Sequence, residues 1–294
     1  MGARREAHDA LAAAGLRPRK RWGQHFLCDP AVAQRIVDAA ALAPDSIVLE
    51  IGPGLGALTD QLAARAARLY LVEIDRGLTA RLAARYAERP HVRVLQGDVL
   101  TLPLDELVAE PSVTVVANLP YNISTPVVFR LLELRRRFPR AILTLQREVA
   151  VRLASPPGRA TYGVTSVLVQ AFAEVQLRFT VSRRSFFPRP QIDSTVVELA
   201  WTAAPRVEIG DVRLFTSVVR AAFGQRRKML RNALGGLMTG KGISADAGRA
   251  LYTRAGIDPA ARAEQLDLAA FGRLARVLSE APSQVTRPDD PPQH

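Results

Sequence analysis

The sequence has a single cysteine and no long apolar run. Cys28 has no second cysteine for an intramolecular disulfide, and it lacks the set of Cys and His companions that a zinc site needs. No apolar stretch approaches the roughly 18 to 20 residues of a membrane-spanning helix, and the N-terminus lacks the apolar core of a secretory signal. These absences exclude a disulfide scaffold and an integral membrane protein, and they predict a cytoplasmic protein without a metal site.

Lysine is also scarce, since only Lys20, Lys228 and Lys241 occur among 40 Lys and Arg residues. Arginine therefore supplies most of the positive charge, and against 28 Asp and Glu the formal net charge is +12. An excess of this size favours a polyanionic partner, either a nucleic acid or an acidic membrane surface. The arginine bias can arise from coding bias as well as from phosphate recognition, so clusters are more informative than the total.

Periodicity predicts an α/β protein. Residues 29–42 resemble a helix with Asp29 as its cap and Pro30 in its first turn. Short β-branched runs then alternate with helix-like stretches around 58–67, 78–88 and 126–134, which is typical of βαβ units and a parallel sheet. The runs are 47–51, 69–73, 92–95, 113–118 and 141–146. Strands at 175–181 and 194–201 have no long helix between them, so we expect an antiparallel pair at one edge.

The organisation changes near Pro205. Strand signals vanish from Val212 onward, and residues 214–234 and 265–278 have helical periodicity punctuated by glycine. At 294 residues the chain is long enough for two domains. We therefore expect a basic N-terminal extension at 1–21, a Rossmann-like α/β domain at 22–204, a smaller all-α domain at 205–280, and a Pro-rich, disordered tail at 281–294.

A glycine-rich turn follows the first strand of the predicted sheet. The segment IVLEIGPGLGALTDQL places Gly52, Gly54 and Gly56 between an apolar strand and a helix. Glycine there permits conformations and ligand approach that a Cβ would forbid, and the helix N-terminus offers free N–H donors. Taken alone, this motif fits a nicotinamide enzyme, an adenosylmethionine enzyme or a purely structural turn.

Polar residues at successive strand ends favour the second alternative. Glu73 closes LYLVE, Asp98 follows VRVLQG, and Asn118 closes VTVVAN. Open α/β sheets bind ligands at the carboxyl ends of their strands. An adenosyl group needs a carboxylate for its ribose hydroxyls and a second acceptor for its adenine amine. Asp98 or Asn118 alone could simply cap a turn, but the three together predict an adenosyl site.

The tetrapeptide Asn118-Leu119-Pro120-Tyr121 carries the predicted chemistry. An adenine amine shares its lone pair with the ring and is a poor nucleophile. The Asn118 side-chain oxygen and a backbone carbonyl in the Leu119-Pro120 bend could accept both amine hydrogens and aim the lone pair at a sulfonium methyl group. No strong general base is needed before attack, because the positive sulfur already activates the methyl group.

Aromatic residues complete this prediction. Tyr121 would stack on the target base, an interaction worth about 1–3 kcal/mol that offsets part of the cost of unstacking it. Phe186, in the extended segment SFFPRPQIDS, would supply a second face. Without the Asn118 motif, ordinary core packing would be the better interpretation of Phe186.

Together with several further segments, these motifs resemble the ribosomal RNA small-subunit adenine dimethyltransferase family. The resemblance runs from about Trp22 to Val277. The segments that carry it are GQHFLCD, LEIGPGLGALT, VEID, GDVL, ANLPYNISTPVVFRLL, YGVTSVLVQ, FFPRPQIDS, AFGQRRKMLRNAL and RAEQLDLAAF. It implies a class I S-adenosylmethionine-dependent methyltransferase fold with a helical C-terminal domain. It also implies dimethylation of two adjacent adenosines in a hairpin near the 3′ end of 16S ribosomal RNA, on the small ribosomal subunit. We expect a monomer with no membrane partner.

The resemblance also implies a set of site residues. Those at the cofactor are His25, Leu27, Gly52, Gly54, Glu73, Asp98 and Asn118, and those around the target adenine are Asn118, Leu119, Pro120, Tyr121 and Phe186. The family often has Asn where this chain has His25, so an imidazole would replace an amide contact to S-adenosylmethionine.

Two basic clusters are expected to hold RNA. Arg17, Arg19, Lys20 and Arg21 precede GQHFL, and Arg226, Arg227, Lys228 and Arg231 are predicted on the first helix of the C-terminal domain, both flanking the mouth of the site. Binding through both should weaken steeply with salt. Charge runs are usually solvated faces, and the family resemblance is what favours RNA contact. Replacing the residues at 226–228 by Ala should lower RNA affinity and leave adenosylmethionine affinity intact.

Three other functions fit parts of the sequence. A sister enzyme that methylates a large-subunit RNA adenine and confers antibiotic resistance shares the fold and chemistry, but NLPYNISTP and FGQRRKMLRN resemble the small-subunit type. A non-catalytic ribosome-assembly or transcription factor on the same scaffold would not need the whole cofactor constellation. A nicotinamide oxidoreductase would need an acid or base near the cleft to handle hydride transfer, and none is obvious.

Overall fold

The computed structural model describes Asp9, residues 11–12 and 18–19, and residues 23–281. These residues divide into two compact units. The first comprises the described residues up to Ala154 together with Phe172–Ala204, and the second comprises Ser155–Ala171 and the described residues from Pro205 onward.

Within residues 23–154 and 172–204, the first unit contains nine strands and six α-helices. The strands are β1 (Phe26–Leu27), β2 (Ile47–Ile51), β3 (Arg68–Glu73), β4 (Val92–Gln96), β5 (Thr114–Asn118), β6 (Arg140–Gln146), β7 (Ala173–Val181), β8 (Phe186–Phe187) and β9 (Ser194–Trp201). The helices are α1 (Pro30–Ala39), α2 (Thr59–Ala63), α3 (Arg76–Arg85), α4 (Leu104–Leu107), α5 (Ser124–Glu133) and α6 (Arg147–Leu153). A short 3-10 helix spans Arg183–Ser185.

A seven-stranded sheet in the order β4-β3-β2-β5-β6-β9-β7 forms the centre of this unit. The five strands from β4 to β6 are parallel, while β9 pairs antiparallel with both β6 and β7. The central strands are buried along nearly their whole length, as expected for parallel strands covered on both faces. The predicted parallel sheet and the antiparallel pair at its edge are both confirmed.

Helix α1 begins where the sequence predicts. The Asp29 side chain accepts hydrogen bonds from the backbone N–H groups of Ala31 and Val32, and Pro30 occupies the first turn. Ile36 and Val37 are fully buried against the sheet. The helix ends at Ala39 rather than at residue 42, because the chain turns there and Ala41 adopts a positive φ of 45°.

A two-stranded sheet joins the segment just before α1 to the segment that follows β7. β1 and β8 pair antiparallel, with Phe26 opposite Phe187 and Leu27 opposite Phe186. Leu11 is 3% exposed and packs with Phe26, so part of the predicted N-terminal extension belongs to the core of this unit. Arg17, Lys20 and Arg21 lie outside the described residues, as does the predicted tail except for Ala281.

The second unit is helical. Its helices are α7 (Val164–Gln170), α8 (Val212–Gly224), α9 (Leu230–Ala233), α10 (Gly235–Gly240), α11 (Ala245–Ala255) and α12 (Leu268–Ser279), with a 3-10 helix at Ala263–Gln265. The Phe223 ring contacts the rings of Tyr162 and Phe271 at centroid distances of 5.8 and 5.7 Å. Across residues 23–281 and the short described stretches before them, no helix is long and apolar enough to span a bilayer.

The predicted domain at 22–204 was wrong in one respect. Ser155–Ala171 leaves the sheet-containing unit and joins the helical one. Tyr162 packs against Phe223 there, and the backbone N–H of Gly158 donates to the carbonyl of Glu264 at 2.7 Å. Sequence order cannot show that a segment in the middle of one domain completes the core of another.

Candidate functional site

A cavity of about 280 Å³ lies at the carboxyl ends of β2, β3 and β5 in the first unit. Its lining includes every residue that the sequence assigned to a cofactor. These residues are His25, Leu27, Gly52, Gly54, Glu73, Asp98 and Asn118. Parallel strands bring their carboxyl ends to one edge of a sheet, so residues far apart in sequence meet there.

The glycine turn forms one wall of this cavity. Gly52 and Gly54 have positive φ values of 67° and 56°, a backbone region that other residues rarely adopt. A Cβ on Gly54 would lie 2.9 Å from Cδ1 of Phe26, closer than carbon atoms pack. The turn therefore needs glycine at 54 both for its conformation and for its contact with β1.

Glu73 is fixed by the same turn. It is 4% exposed, its Oε2 accepts from the backbone N–H of Gly54 at 3.1 Å, and its Oε1 accepts from that of Asp75 at 3.0 Å. Burial raises the pKa of Glu73, while these backbone donors oppose the rise. The carboxylate is thus held rigidly at the end of β3, where it lines the cavity. Asp98 is half-buried, and its Oδ1 accepts from Leu100 N–H at 2.9 Å.

The amide of Asn118 is oriented by the loop that precedes β1. Its Nδ2 donates to the carbonyl oxygen of His25 at 3.0 Å, which leaves Oδ1 as the acceptor of the side chain. His25 is itself fixed, because its Nδ1 donates to the carbonyl of Pro188 at 2.7 Å. Two long-range contacts therefore determine which atom Asn118 can offer to a ligand.

Tyr121 lies beside this pair. Its ring centroid is 5.1 Å from that of His25, with 33° between the two planes, and its hydroxyl is 2.6 Å from Oγ of Ser194. Burial raises the pKa of Tyr121, so the phenol stays protonated at neutral pH. The half-buried ring contacts His25 and its hydroxyl is hydrogen-bonded to Ser194, so its orientation is fixed.

The prediction that Phe186 offers a stacking face was wrong. Its ring is 0% exposed and packs in the core with Leu27, Val181 and Val196. On β8, neighbouring side chains point to opposite faces, and Phe186 shares the core-facing side of its partner Leu27. The segment that contains it reaches the site through the Pro188 carbonyl and the Ser194 hydroxyl, neither of which the sequence analysis identified.

Sequence reasoning also missed Glu50, which lines the cavity and is 1% exposed. It stands one residue before Ile51 at the end of an otherwise apolar strand. A lone carboxylate in the run IVLEI was a signal that could have been used, because charged residues are rarely buried in a strand without a function or a partner.

The basic residues are placed differently from the prediction. Helix α8 ends at Gly224, so Arg226, Arg227 and Lys228 occupy the exposed turn that follows it, here called the basic turn, and Arg231 lies on α9. Glycine is a poor helix former, so the helix stops there although the apolar periodicity of 214–234 continues. In the first unit, Nε of Arg19 lies 3.5 Å from Oδ2 of Asp75.

The strand order and the cavity at the strand ends define the class of protein. Two solved structures resemble the chain over most of its length. A dimethyladenosine transferase from Plasmodium falciparum has a TM-score of 0.71 at 25% identity and covers 85% of this chain and 96% of its own. The 23S rRNA methyltransferase ErmE has a TM-score of 0.65 at 26% identity, covering 87% and 100%. The chain has the Rossmann-like fold of S-adenosylmethionine-dependent methyltransferases, with a helical C-terminal part.

Sequence comparison then gives the family. Residues 15–280 match the family described as ribosomal RNA adenine dimethylase. A ribosomal RNA small subunit methyltransferase A from Syntrophotalea carbinolica is 45% identical over 89% of this chain and 97% of its own length. One from Moorella thermoacetica is 44% identical over 90% and 93%. The chain belongs to the ribosomal RNA adenine dimethylase family and is a methyltransferase.

Proposed function

We propose that this chain transfers methyl groups from S-adenosylmethionine to the exocyclic amines of two adjacent adenosines in a hairpin near the 3′ end of 16S ribosomal RNA. One observation carries the proposal. The side chain of Asn118 is oriented by the His25 carbonyl so that its acceptor oxygen remains available at the end of β5, beside Tyr121 and the cavity.

The residues of the cavity fit the cofactor. Glu73 and Asp98 provide carboxylates at neighbouring strand ends for ribose hydroxyls and an adenine amine, and Gly52 and Gly54 let the backbone approach a ligand closely. When bound, the cofactor supplies a methyl group on a positively charged sulfur. His25 lines the same cavity with a ring that the Pro188 carbonyl fixes in orientation.

The chain's own task is to prepare the nucleophile. Asn118 Oδ1 would accept one hydrogen of the adenine amine, and a backbone carbonyl would accept the other, which draws the nitrogen lone pair out of the ring. The Pro120 carbonyl already accepts from Ile123 N–H and from Ser124 Oγ–H, so Leu119 supplies the better second acceptor. Holding the amine between fixed acceptors also aligns it for attack.

Tyr121 would hold the target base. Its hydroxyl is hydrogen-bonded to Ser194 and its ring lies against His25. The ring is therefore already in a fixed orientation before the base binds. A preorganised aromatic face costs less conformational entropy on binding than a mobile one. Because Phe186 is buried, we assign base stacking to Tyr121 alone.

Similarity to named relatives supports a small-subunit substrate over a large-subunit one. Relatives named ribosomal RNA small subunit methyltransferase A are 40–45% identical to this chain, whereas ErmE is 26% identical. The complete set of cavity residues argues against a non-catalytic factor, since a scaffold alone has no use for a buried carboxylate held by a glycine turn.

The test is a methylation assay with S-adenosylmethionine labelled on its methyl group. The protein is incubated separately with undermethylated small subunits and with isolated large-subunit RNA, and the label is mapped by nuclease digestion. We expect label on two adjacent adenosines of the small subunit. Label on large-subunit RNA alone would overturn the substrate assignment, and no transfer to either would overturn the proposed activity.

A further inference from the structure

A second depression in the first unit lies between helix α1 and the strand β7. It has a volume of about 430 Å³ and is lined by Arg35, Asp38 and Ala39 of α1 and by residues 176–179 of β7. Because β7 is the last strand in the sheet order, this groove lies at the border of the sheet and is here called the edge groove. It shares no lining residue with the cavity at the strand ends.

Arginine side chains outnumber carboxylates at the edge groove. Asp38 pairs with Arg65, whose Nη1 lies 2.7 Å from its Oδ1. Glu198 is shared by two arginines, with Arg140 at 2.7 Å and Arg178 at 3.4 Å. A fourth arginine, on α1, has no carboxylate partner among the residues that the structure describes. The groove therefore carries a net positive charge.

The fourth arginine, Arg35, is exposed and contacts an aromatic ring instead of an acid. Its Cζ lies 4.1 Å from the centroid of the Phe179 ring. Within the described part of the chain its guanidinium forms no hydrogen bond and no ion pair. Stacking on a ring uses the flat face of a guanidinium and leaves its in-plane N–H donors available to an oxyanion. Arg35 is therefore ordered by packing while its charge is not neutralised.

A β-bulge brings Arg178 into the same groove. The pairing of β7 with β9 shifts register between Leu177 and Phe179, so Arg178 has no partner on β9. In a regular strand Arg178 and Phe179 would point to opposite faces of the sheet, and a bulge at a sheet edge can re-aim a side chain. Both residues consequently line the groove, and the Arg178 guanidinium reaches Glu198 there.

The strand register gives the distance from the edge groove to the proposed reaction centre. Asn118 pairs with Thr144, and Thr144 pairs with Val196. Val196 pairs in turn with Phe179, so these four residues form one row across β5, β6, β9 and β7. Neighbouring strands are about 4.8 Å apart, which places Phe179 roughly 14 Å from Asn118. A nucleic-acid strand that advances about 3.4 Å per nucleotide covers this distance in about four nucleotides.

We propose that the edge groove binds backbone phosphates of the ribosomal RNA near the target adenosines, through the guanidinium groups of Arg35 and Arg178. This inference rests on the proposed function, because a target base at Asn118 is what brings RNA to this side of the sheet. A phosphate supplies the negative charge that the groove lacks and accepts paired N–H donors from a guanidinium. Contacts of this kind carry no sequence information, but they fix the position of the RNA.

The double variant Arg35→Gln with Arg178→Gln tests this contact. Filter binding without cofactor measures its affinity for undermethylated small subunits and for protein-free 16S RNA over a range of salt concentrations. We expect both affinities to fall about tenfold at physiological salt. The log–log salt dependence should flatten by about 0.7 to 0.9 for each phosphate contact that is lost. S-adenosylmethionine should bind as it does to the wild type.

The matched control is Arg89→Gln combined with Arg93→Gln. Arg89 also lies over an aromatic ring, with its Cζ 5.7 Å from the centroid of Tyr86. Arg93 lies on β4, the strand at the opposite border of the sheet. This control removes the same charge from the same unit, and it should lose far less RNA affinity. Arg35→Glu breaks no described ion pair, so it reports on the groove without a folding effect and should weaken RNA binding more than Arg93→Glu.

Four results would overturn the role of the edge groove. They are wild-type RNA affinity in the Arg35 and Arg178 variants, equal losses in the two double variants, a loss without a change in salt dependence, and a loss with intact subunits but not with protein-free RNA. The last result would assign the groove to a ribosomal protein. A wild-type protein that binds small subunits but transfers no methyl group would instead overturn the proposed function, while the comparison of variants would still report on the groove.

Discussion

The polar groups of the cavity in the first unit are buried or half-buried and held in place by hydrogen bonds, whereas the basic turn of the second unit is exposed to solvent. Glu73 and Asn118 each have partners that fix their orientation to one arrangement. Arg227 and Lys228 form no ion pair with any residue that the structure describes. Within the basic turn, the Arg226 side chain donates a hydrogen bond to the Arg159 carbonyl and lies 4.0 Å from Glu264. The first arrangement suits chemistry that depends on single atoms, and the second suits attraction to a polyanion that depends on total charge.

Asn118→Ala should give the largest effect. Removing one preorganised polar group from a reacting centre lowers kcat by about 100- to 1,000-fold. We expect that loss in methyl transfer to undermethylated small subunits, with an unchanged melting temperature. Asn232→Ala, on an exposed face of α9, serves as the control and should be fully active. Normal turnover in Asn118→Ala would contradict the mechanism.

Glu73→Gln should act on cofactor binding before it acts on turnover. The amide keeps the volume of the carboxylate but presents an NH₂ group where one of two backbone N–H donors now binds. We expect S-adenosylmethionine to bind about 10- to 100-fold more weakly, measured by calorimetry. Glu133→Gln, an exposed change on α5, should leave the affinity as it is. If Glu73→Gln bound S-adenosylmethionine with the wild-type dissociation constant, Glu73 would not be a cofactor-binding residue.

Comparing Phe186→Leu with Tyr121→Leu distinguishes a role in core packing from a role in base stacking. Phe186→Leu should cost about 1–2 kcal/mol of stability, because it removes buried apolar volume, and should change kcat less than threefold. Tyr121→Leu should lower methyl transfer by about tenfold, because a stacking face for the base is removed. Thermal unfolding and the methylation assay give the two readouts. A fall in kcat in Phe186→Leu as large as in Tyr121→Leu would mean that Phe186 does hold the base.

The smallest effect is expected from Arg227→Ala combined with Lys228→Ala. RNA affinity should fall by about threefold to tenfold at physiological salt, and the salt dependence should flatten by about 0.7 to 0.9 in log–log slope for each phosphate that is no longer neutralised. S-adenosylmethionine should bind normally. Arg249→Ala combined with Arg254→Ala removes two charges from the same unit, but these residues are paired with Asp246 and Glu280. Equal losses of affinity in both double variants would mean that only net charge matters.

Local sequence predicted the elements well where one short segment decides the outcome. Asp29 and Pro30 start α1 because a cap and a rigid first turn act within three residues. The β-branched runs form the parallel sheet, and the residues that close them come together at one edge. By contrast, the periodicity of 214–234 suggested one helix across the basic turn, because apolar spacing does not register a break between two helices.

Side-chain partners were beyond local prediction. That Phe186 faces the core follows from its pairing with Leu27, about 160 positions earlier in the chain, and that register is set by the whole sheet. The support of His25 by Pro188 and of Tyr121 by Ser194 depends on the same pairing of distant segments. The transfer of Ser155–Ala171 to the helical unit likewise depends on contacts with residues some 60 to 110 positions away.

By itself the sequence determined the strand-end motifs, the family and the predicted cofactor residues that line the cavity, because residue type and spacing within a βαβ unit are local properties. Only the tertiary structure decided which oxygen Asn118 can offer, that Phe186 is buried, and that the carboxyl group of Glu50 is buried in the wall of the cavity. The physical reason is that hydrogen-bond partners and burial are set by segments that meet only in the folded chain.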